Sequence, residues 1–276
     1  MRRWIAPVLG VAVLAVAGLT VVVGEGARAE QPVAPKAAPI AAAFRFEKGY
    51  LAFADLPDSV ALLPLPPAPG SAAEARDLES SRAALALHGT PRWTLATVDA
   101  DLFTPRASAT MACAAAHALG PQTTPLTEHV LRRALTDLAA STRAAKIKYQ
   151  RQRPFMVNNQ PMCTPDLDAV LRHDGSYPSG HSAIGYGWGL ILAEILPARA
   201  TALAARGRAF GDSRRVCNVH WLSDVEEARI AAAATLARLH ADAAFQADLA
   251  AAAKELAADR STPTGCDAEA VALALR

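Results

Sequence analysis

The residues able to do chemistry fall into three short blocks. The first is Lys146 with Arg153-Pro154 seven residues on. The second is Gly175-Ser176-Tyr177-Pro178-Ser179-Gly180-His181. The third is Ser213-Arg214, then His220, with Asp224 four residues further. They supply three cations, a turn of small residues, two histidines and a carboxylate, a set suited to an oxyanion. A phosphate ester presents several anionic oxygens and needs fixed donors that gain strength as charge builds in the transition state. Arginine offers a planar fork for two oxygens and lysine a point charge, which gives Lys146, Arg153 and Arg214 their candidate role. Pro178-Ser179-Gly180 ahead of a helix adds a hydroxyl and free N–H groups at the positive end of the helix dipole. Gly180 lets backbone come close to the ligand.

Two histidines divide acid–base work. One attacks phosphorus as neutral imidazole and the other protonates the leaving alkoxide. An attacking imidazole needs its second nitrogen fixed by a carboxylate. Asp224 is placed to do that for His220, so His220 is the candidate nucleophile and His181 the general acid. The scheme needs no metal, cofactor or thiol, and it expects a mildly acidic optimum, with His181 protonated while His220 is not.

Taken singly, each residue has a plainer reading, since a lone Lys or Arg is usually solvated and a lone Ser-Gly-His usually a turn. Their joint occurrence in order carries the argument. Arg151, Arg215 and Lys148 are read as surface charges, and His88, His117, His129 and His240 as ordinary helix histidines. His173, Asp174 and Tyr177 flank the central turn, as mouth or as structure.

Helices must position these blocks. The chain has 276 residues, 52% hydrophobic, rich in alanine, with 5% aromatics and no long period-two alternation, which favours helix over strand. Ser71-x-x-Glu74 fits a capping box and starts a helix to about His88. Thr90-Pro91, Thr104-Pro105 and Thr124-Pro125 each place a capping hydroxyl before a first-turn proline. The Thr104 helix is expected to end near Gly120, and the Thr124 helix to run long and carry Lys146 near its end. Residues 154–163 read as a polar loop, and Thr164-Pro165 as the start of a short helix ending near Gly175. Ser179 or Ser182 begins a helix that Pro197 stops. Further helices are expected over about 198–215, from a second capping box at Ser223-x-x-Glu226 to about His240, and from Asp242 to about Ala258. The expected architecture is an all-α, single-domain helical bundle of about nine helices over residues 49–276.

Residues 1–29 read as a signal peptide. Arg2 and Arg3 precede an apolar run from Ile5 to Val23, and Ala27-Arg28-Ala29 fits a small-x-small cleavage site. A retained membrane anchor is the alternative. Proline among alanines marks residues 30–48 as a disordered linker. Removing residues 1–29 takes away Arg2, Arg3, Arg28 and Glu25, so 28 basic and 26 acidic residues become 25 of each. That balance argues against nucleic acid or anionic membrane as a partner held by bulk charge. Small phosphomonoesters are the expected partners, and a homo-oligomer is left open. Four cysteines in an exported chain suggest disulfides. Cys163 and Cys217 each lie between motif blocks, which favours that pair and leaves Cys113 with Cys266.

The three blocks resemble the signature of the type 2 phosphatidic acid phosphatase/haloperoxidase superfamily. Within it, Gly175-Ser176-Tyr177 before Pro178, the proline-rich entry before Gly70-Ser71, and Cys163-Thr164-Pro165 are similar to bacterial class A non-specific acid phosphatases. The resemblance covers about residues 50–250. It implies an all-α fold of the acid phosphatase/vanadium haloperoxidase type, a periplasmic or secreted site, no metal, and hydrolysis of phosphate monoesters at acid pH. It also implies phosphate binding by Lys146, Arg153, Ser179, Gly180 and Arg214, with His181, His220 and Asp224 in the roles above. Asn218 stands where glycine is expected and Glu227 where a small residue is expected, departures that bear on substrate preference. The alternatives are a vanadium-dependent haloperoxidase, for which the chain is short, and a non-catalytic phosphate-binding protein, which would not need His220 and Asp224 together.

Overall fold

The computed structural model describes residues 47–275, and every regular element among them is helical. The signal peptide and most of the linker lie outside the described residues. The last two linker residues are held: Thr136 donates to the Glu47 carbonyl and Arg133 to that of Lys48.

The α-helices in chain order are α1 (Ser59–Leu62), α2 (Ala72–Leu85), α3 (Pro91–Val98), α4 (Ala112–Ala115), α5 (Pro125–Ser141), α6 (Arg143–Tyr149) and α7 (Pro154–Asn158). After these come α8 (Asp168–Leu171), α9 (Gly180–Ile195), α10 (Ala200–Val216), α11 (Leu222–Leu239), α12 (Ala243–Ala258) and α13 (Cys266–Ala274). Among the described residues no helix is long and apolar enough to cross a membrane.

Helix α9 is the axis of the bundle, packed against α5, α10, α11 and α12. Its glycines explain the close fit. A Cβ on Gly189 would lie 2.7 Å from the Leu203 carbonyl oxygen and 3.1 Å from Gly207 Cα. Both contacts are backbone, so α9 and α10 could not approach as they do with any larger residue there. Trp188, fully buried, donates its indole N–H to the Leu131 carbonyl and locks α9 to α5. Around it lie Leu131, Leu138, Ile191, Leu192, Phe210 and Phe245, each contributing about 1.5–3 kcal/mol by burial.

Several elements differ from the sequence expectation. Thr104-Pro105 starts no helix, because Asp101 holds the N–H groups of Phe103 and Thr104 in a turn and binds the Thr104 hydroxyl. A 3-10 turn at Ser108–Met111 and α4 stand in place of the expected helix, and Ala116 at φ +61 ends it. The Thr90 and Thr124 hydroxyls do not cap their helices; Thr90 donates to the Leu87 carbonyl. The N-terminus of α5 is capped instead by Glu255 of α12, which accepts from Leu126 N and Thr127 N at 2.9 and 2.8 Å.

The long helix carrying Lys146 breaks at Thr142. There the Ser141 and Thr142 hydroxyls bond back to the Leu138 and Ala139 carbonyls, and Ala145 N donates to Ser59 Oγ. Residues 154–158 form α7 rather than loop, since Pro154 takes the first helical position after Arg153. Ser223-x-x-Glu226 is not a capping box. Trp221 is the N-cap of α11 and its N–H goes to Asp224, while Ser223 binds Asp77 and Glu226 binds Arg76. The expected caps Ser71 and Asp242 are observed, and Ser179 rather than Ser182 caps α9. Helix α13 was not foreseen. The Cys113–Cys266 disulfide ties it back, and Cys163 pairs with Cys217.

Candidate active site

Five helix ends meet where the three blocks converge: the last turn of α6, the starts of α7 and α9, and the end of α10 with the start of α11. Each junction has a local cause. Gly175 passes so close to α6 that a Cβ would lie 2.6 Å from the Lys146 carbonyl oxygen. Ser176 N donates to the Arg151 carbonyl at 2.9 Å, joining the second block to the first. Ser179 N donates to the Asp224 carbonyl at 2.9 Å, joining it to the third. At the end of α10, Asn218 turns the chain at φ +60, a left-handed conformation that asparagine tolerates better than most residues. Val219 N and His220 N then both donate to the Arg214 carbonyl.

A cavity of about 610 Å³ opens over this convergence. Lys146, Arg153, Gly180, His181, Arg214 and His220 line it. The lining also includes apolar Leu102, Phe103, Ala139, Ile147 and Ile184, together with polar Thr136, Thr142, Arg143 and Gln150. Ser179 and Asp224 lie just behind, both fully buried. The Ser179 hydroxyl accepts from Ser182 N and lies 2.8 Å from Ser182 Oγ, which also reaches the Gly211 carbonyl. Gly180 and His181 occupy the first turn of α9, where backbone N–H groups have no intrahelical partner.

The state of His220 follows from its neighbours. Nδ1 lies 3.3 Å from Asp224 Oδ2, and Nε2 lies 2.9 Å from Arg153 Nη1. A guanidinium only donates, so Nε2 carries the lone pair and Nδ1 the proton. Burial, then the charges of Arg153, Lys146 and Arg214, hold the imidazole well below its ordinary pKa, so it is neutral. His181 has the reverse tautomer. Its Nε2 lies 3.1 Å from the Ala100 carbonyl, which only accepts, so Nε2 carries the proton and Nδ1 is left for the cavity. Burial and Arg214 lower its pKa as well, so without a bound anion both imidazoles are neutral.

The cations are buried unequally. Arg153, 1% exposed, is held by the Leu171, Asp174 and Val219 carbonyls and by the Asp174 carboxylate. Lys146 Nζ binds the Gly175 carbonyl and Asp174, and burial lowers it to about 8. Arg214 is fully buried, yet among the described residues its guanidinium makes one hydrogen bond, a 3.8 Å contact to Cys217 Sγ, and its Nε has no partner. Burial and Arg153 push it down to about 9. Such a group is costly to hold without an anion.

Residues that sequence reasoning missed support the site from behind. Arg151 is no surface charge. It donates to Asp224 and Asp77, both at 2.7 Å, and to Ser223 at 2.8 Å. Arg215 is likewise engaged, with Ser80. Asp99, fully buried, accepts from Arg206 and Ser213, and Arg92 donates to the same Ser213 hydroxyl. This fixes Asp99, the C-cap of α3, and the carbonyl of the following residue, Ala100, orients His181. Nothing in the sequence separates these residues from solvated charges, because their partners are far away along the chain. Of the residues flanking the turn, His173 and Asp174 line the cavity. Tyr177 is buried and donates to the Pro64 carbonyl. His117, read as a helix histidine, instead follows the end of α4 and pairs with Asp259. Glu227 does not reach the cavity lining. Among the described residues there is no cluster of three or more His, Cys, Asp or Glu placed to hold a metal ion.

Comparison with known proteins shows the family. Residues 130–246, which include all three blocks, match the PAP2 superfamily model. The chain is 40% identical over 205 residues to the acid phosphatase of Zymomonas mobilis, covering 74% of this chain and 78% of that protein. It is 40% identical over 195 residues to the non-specific acid phosphatase of Salmonella typhimurium, covering 70% and 78%. Against the non-specific acid phosphatase of Providencia stuartii it is 38% identical over 213 residues, covering 75% and 84%. The chain therefore belongs to the PAP2 superfamily, among its bacterial acid phosphatases.

Proposed function

We propose that the protein is a metal-independent acid phosphatase that hydrolyses phosphate monoesters of broad structure through a phospho-histidine. The observation that carries this is His220, a buried neutral imidazole whose Nε2 lone pair meets Arg153 beside a cavity that Lys146, Arg153 and Arg214 line. The phosphoryl group draws the donors of Arg153, Lys146 and Arg214 and the first N–H groups of α9 onto its oxygens. That releases the lone pair from Arg153. His220 Nε2 attacks phosphorus, the P–O bond to the leaving group breaks, and His181, protonated at Nδ1, gives its proton to the departing oxygen. Asp224 stabilises the imidazolium that forms at His220. Water then gives a proton to His181 and adds to phosphorus, and the P–N bond breaks to return free imidazole and inorganic phosphate.

The dianion brought by the substrate raises the His181 pKa in the complex and so provides the acid. The two disulfides suit an oxidising compartment, and with the signal-like start of the chain they support a periplasmic or secreted location.

The test is hydrolysis of p-nitrophenyl phosphate by residues 30–276 at mildly acidic pH with EDTA, beside the His220→Ala variant. Activity that survives EDTA, falls at least about 10³-fold in the variant, and leaves a phosphorylated His220 after alkaline quench is expected. A variant that keeps its rate refutes the nucleophile, and activity that EDTA removes refutes metal independence.

A further inference from the structure

Two of the three site cations already hold an anion. Asp174 Oδ2 lies 3.1 Å from Lys146 Nζ and 2.8 Å from Arg153 Nη2. The Asp174 side chain is 47% exposed, against 12% for Lys146 and 2% for Arg153. It reaches in from the rim of the cavity and sets one carboxylate oxygen between the two cations. The other partners of these cations are mainly backbone carbonyls, of Gly175 for Lys146 and of Leu171, Asp174 and Val219 for Arg153. Those groups aim the side chains and leave with the fold only. The carboxylate is different in kind: it is charged, half in water, and can turn outward without unfolding anything.

We propose that Asp174 is a built-in competitor for the oxyanion site, occupying the Lys146–Arg153 fork until phosphate displaces it and returning to help expel the product. The inference rests on the reading of the cavity as a phosphate site. The exchange makes and breaks no covalent bond; one anionic oxygen replaces another on the same two cations. Its value lies in turnover. Inorganic phosphate, once formed, faces three buried cations and a helix N-terminus and would leave slowly. A tethered carboxylate at high local concentration lowers the net affinity for both substrate and product.

Isothermal titration of inorganic phosphate into wild type, Asp174→Asn, Asp174→Ala and Asp174→Glu tests this, with thermal unfolding showing that each variant is folded. The Asn variant keeps the shape and removes the charge. Phosphate is expected to bind about tenfold more tightly to the Asn and Ala variants, a change of about 1.4 kcal/mol, with the Glu variant close to wild type. In turnover assays KM and the inhibition constant for phosphate fall together. A carboxylate that merely positions Lys146 and Arg153 gives the opposite sign, so weaker or unchanged phosphate binding in the Asn and Ala variants overturns the proposal. Absence of phosphate binding in wild type and every variant overturns the phosphate reading of the cavity, and this inference with it.

Discussion

Arg151 decides whether Asp224 can serve His220. Asp224 is fully buried, and its carboxylate receives Arg151 at 2.7 Å and Trp221 N at 2.9 Å, with His220 Nδ1 at 3.3 Å. Asp77, on α2, shares the same guanidinium but keeps both the N–H and the hydroxyl of Ser223 when Arg151 is removed. The cost of Arg151→Met therefore concentrates on Asp224. Breaking a buried ion pair by removing one partner costs about 3–5 kcal/mol. For a domain of this size that lowers Tm by roughly 6–20 °C.

The pH dependence carries a sign. Burial already raises the Asp224 carboxyl above the usual carboxylate range, and Arg151 is the largest influence pulling it back. Without Arg151 it rises further. The folded state then keeps a proton that the unfolded chain has released, so stability is lost as pH rises through that window. The deficit against wild type is expected to be larger at neutral pH than near the ordinary carboxylate range. In activity, Asp224 must be ionised to hold the His220 tautomer, so the acid limb of kcat/KM moves to higher pH. Thermal unfolding at acid and neutral pH, with a pH–rate profile, measures both. An unchanged Tm at both pH values, or an acid limb that does not move, refutes the role given to Arg151.

Three further predictions follow from the same geometry. Arg214→Met removes a buried guanidinium that has no oxygen acceptor among the described residues, so the phosphate-free protein is expected to hold or gain Tm while phosphate affinity falls at least about 100-fold; a large loss of Tm in the phosphate-free variant contradicts this. The lowered pKa of His181 in the free enzyme places the basic limb of kcat/KM at acid pH, and the bound dianion moves the basic limb of kcat higher; coincident limbs argue against His181 as the acid. Asn218→Gly keeps the left-handed turn but loses bonds to Asn158 and to the Gln160 and Pro161 carbonyls, so it is expected to lose about 1–3 kcal/mol of stability with kcat changed by less than about threefold; a large fall in kcat with stability intact would show that Asn218 acts on the substrate.

The blocks were legible in the sequence because the chemistry prescribes residue types: forks and point charges for oxygens, an imidazole with a carboxylate four residues on, small residues where backbone meets ligand. The helix boundaries were less so. Thr90, Thr104 and Thr124 all carry the local signal for a capping hydroxyl, and none of them caps. Glu255 caps α5 from 129 residues away, and no local pattern reports a partner at that distance. Ser223 and Glu226 have capping-box spacing, but Asp77 and Arg76 claim them first.

Residue order and composition alone indicated that the chain is helical and singled out His181, His220 and three cations as candidates for one oxyanion site; they favoured one cysteine pairing, and the structure supplied it. Those indications follow from short-range spacing and from chemistry that admits few residue types. Only the tertiary structure decided which nitrogen of each histidine carries the lone pair, that Arg151 and Asp77 underwrite Asp224, that Arg214 is buried without an oxygen partner among the described residues, and that Asp174 sits on two of the cations. Those properties depend on burial and on angstrom-scale distances between segments remote in the chain, which is where the strength of a charge is set.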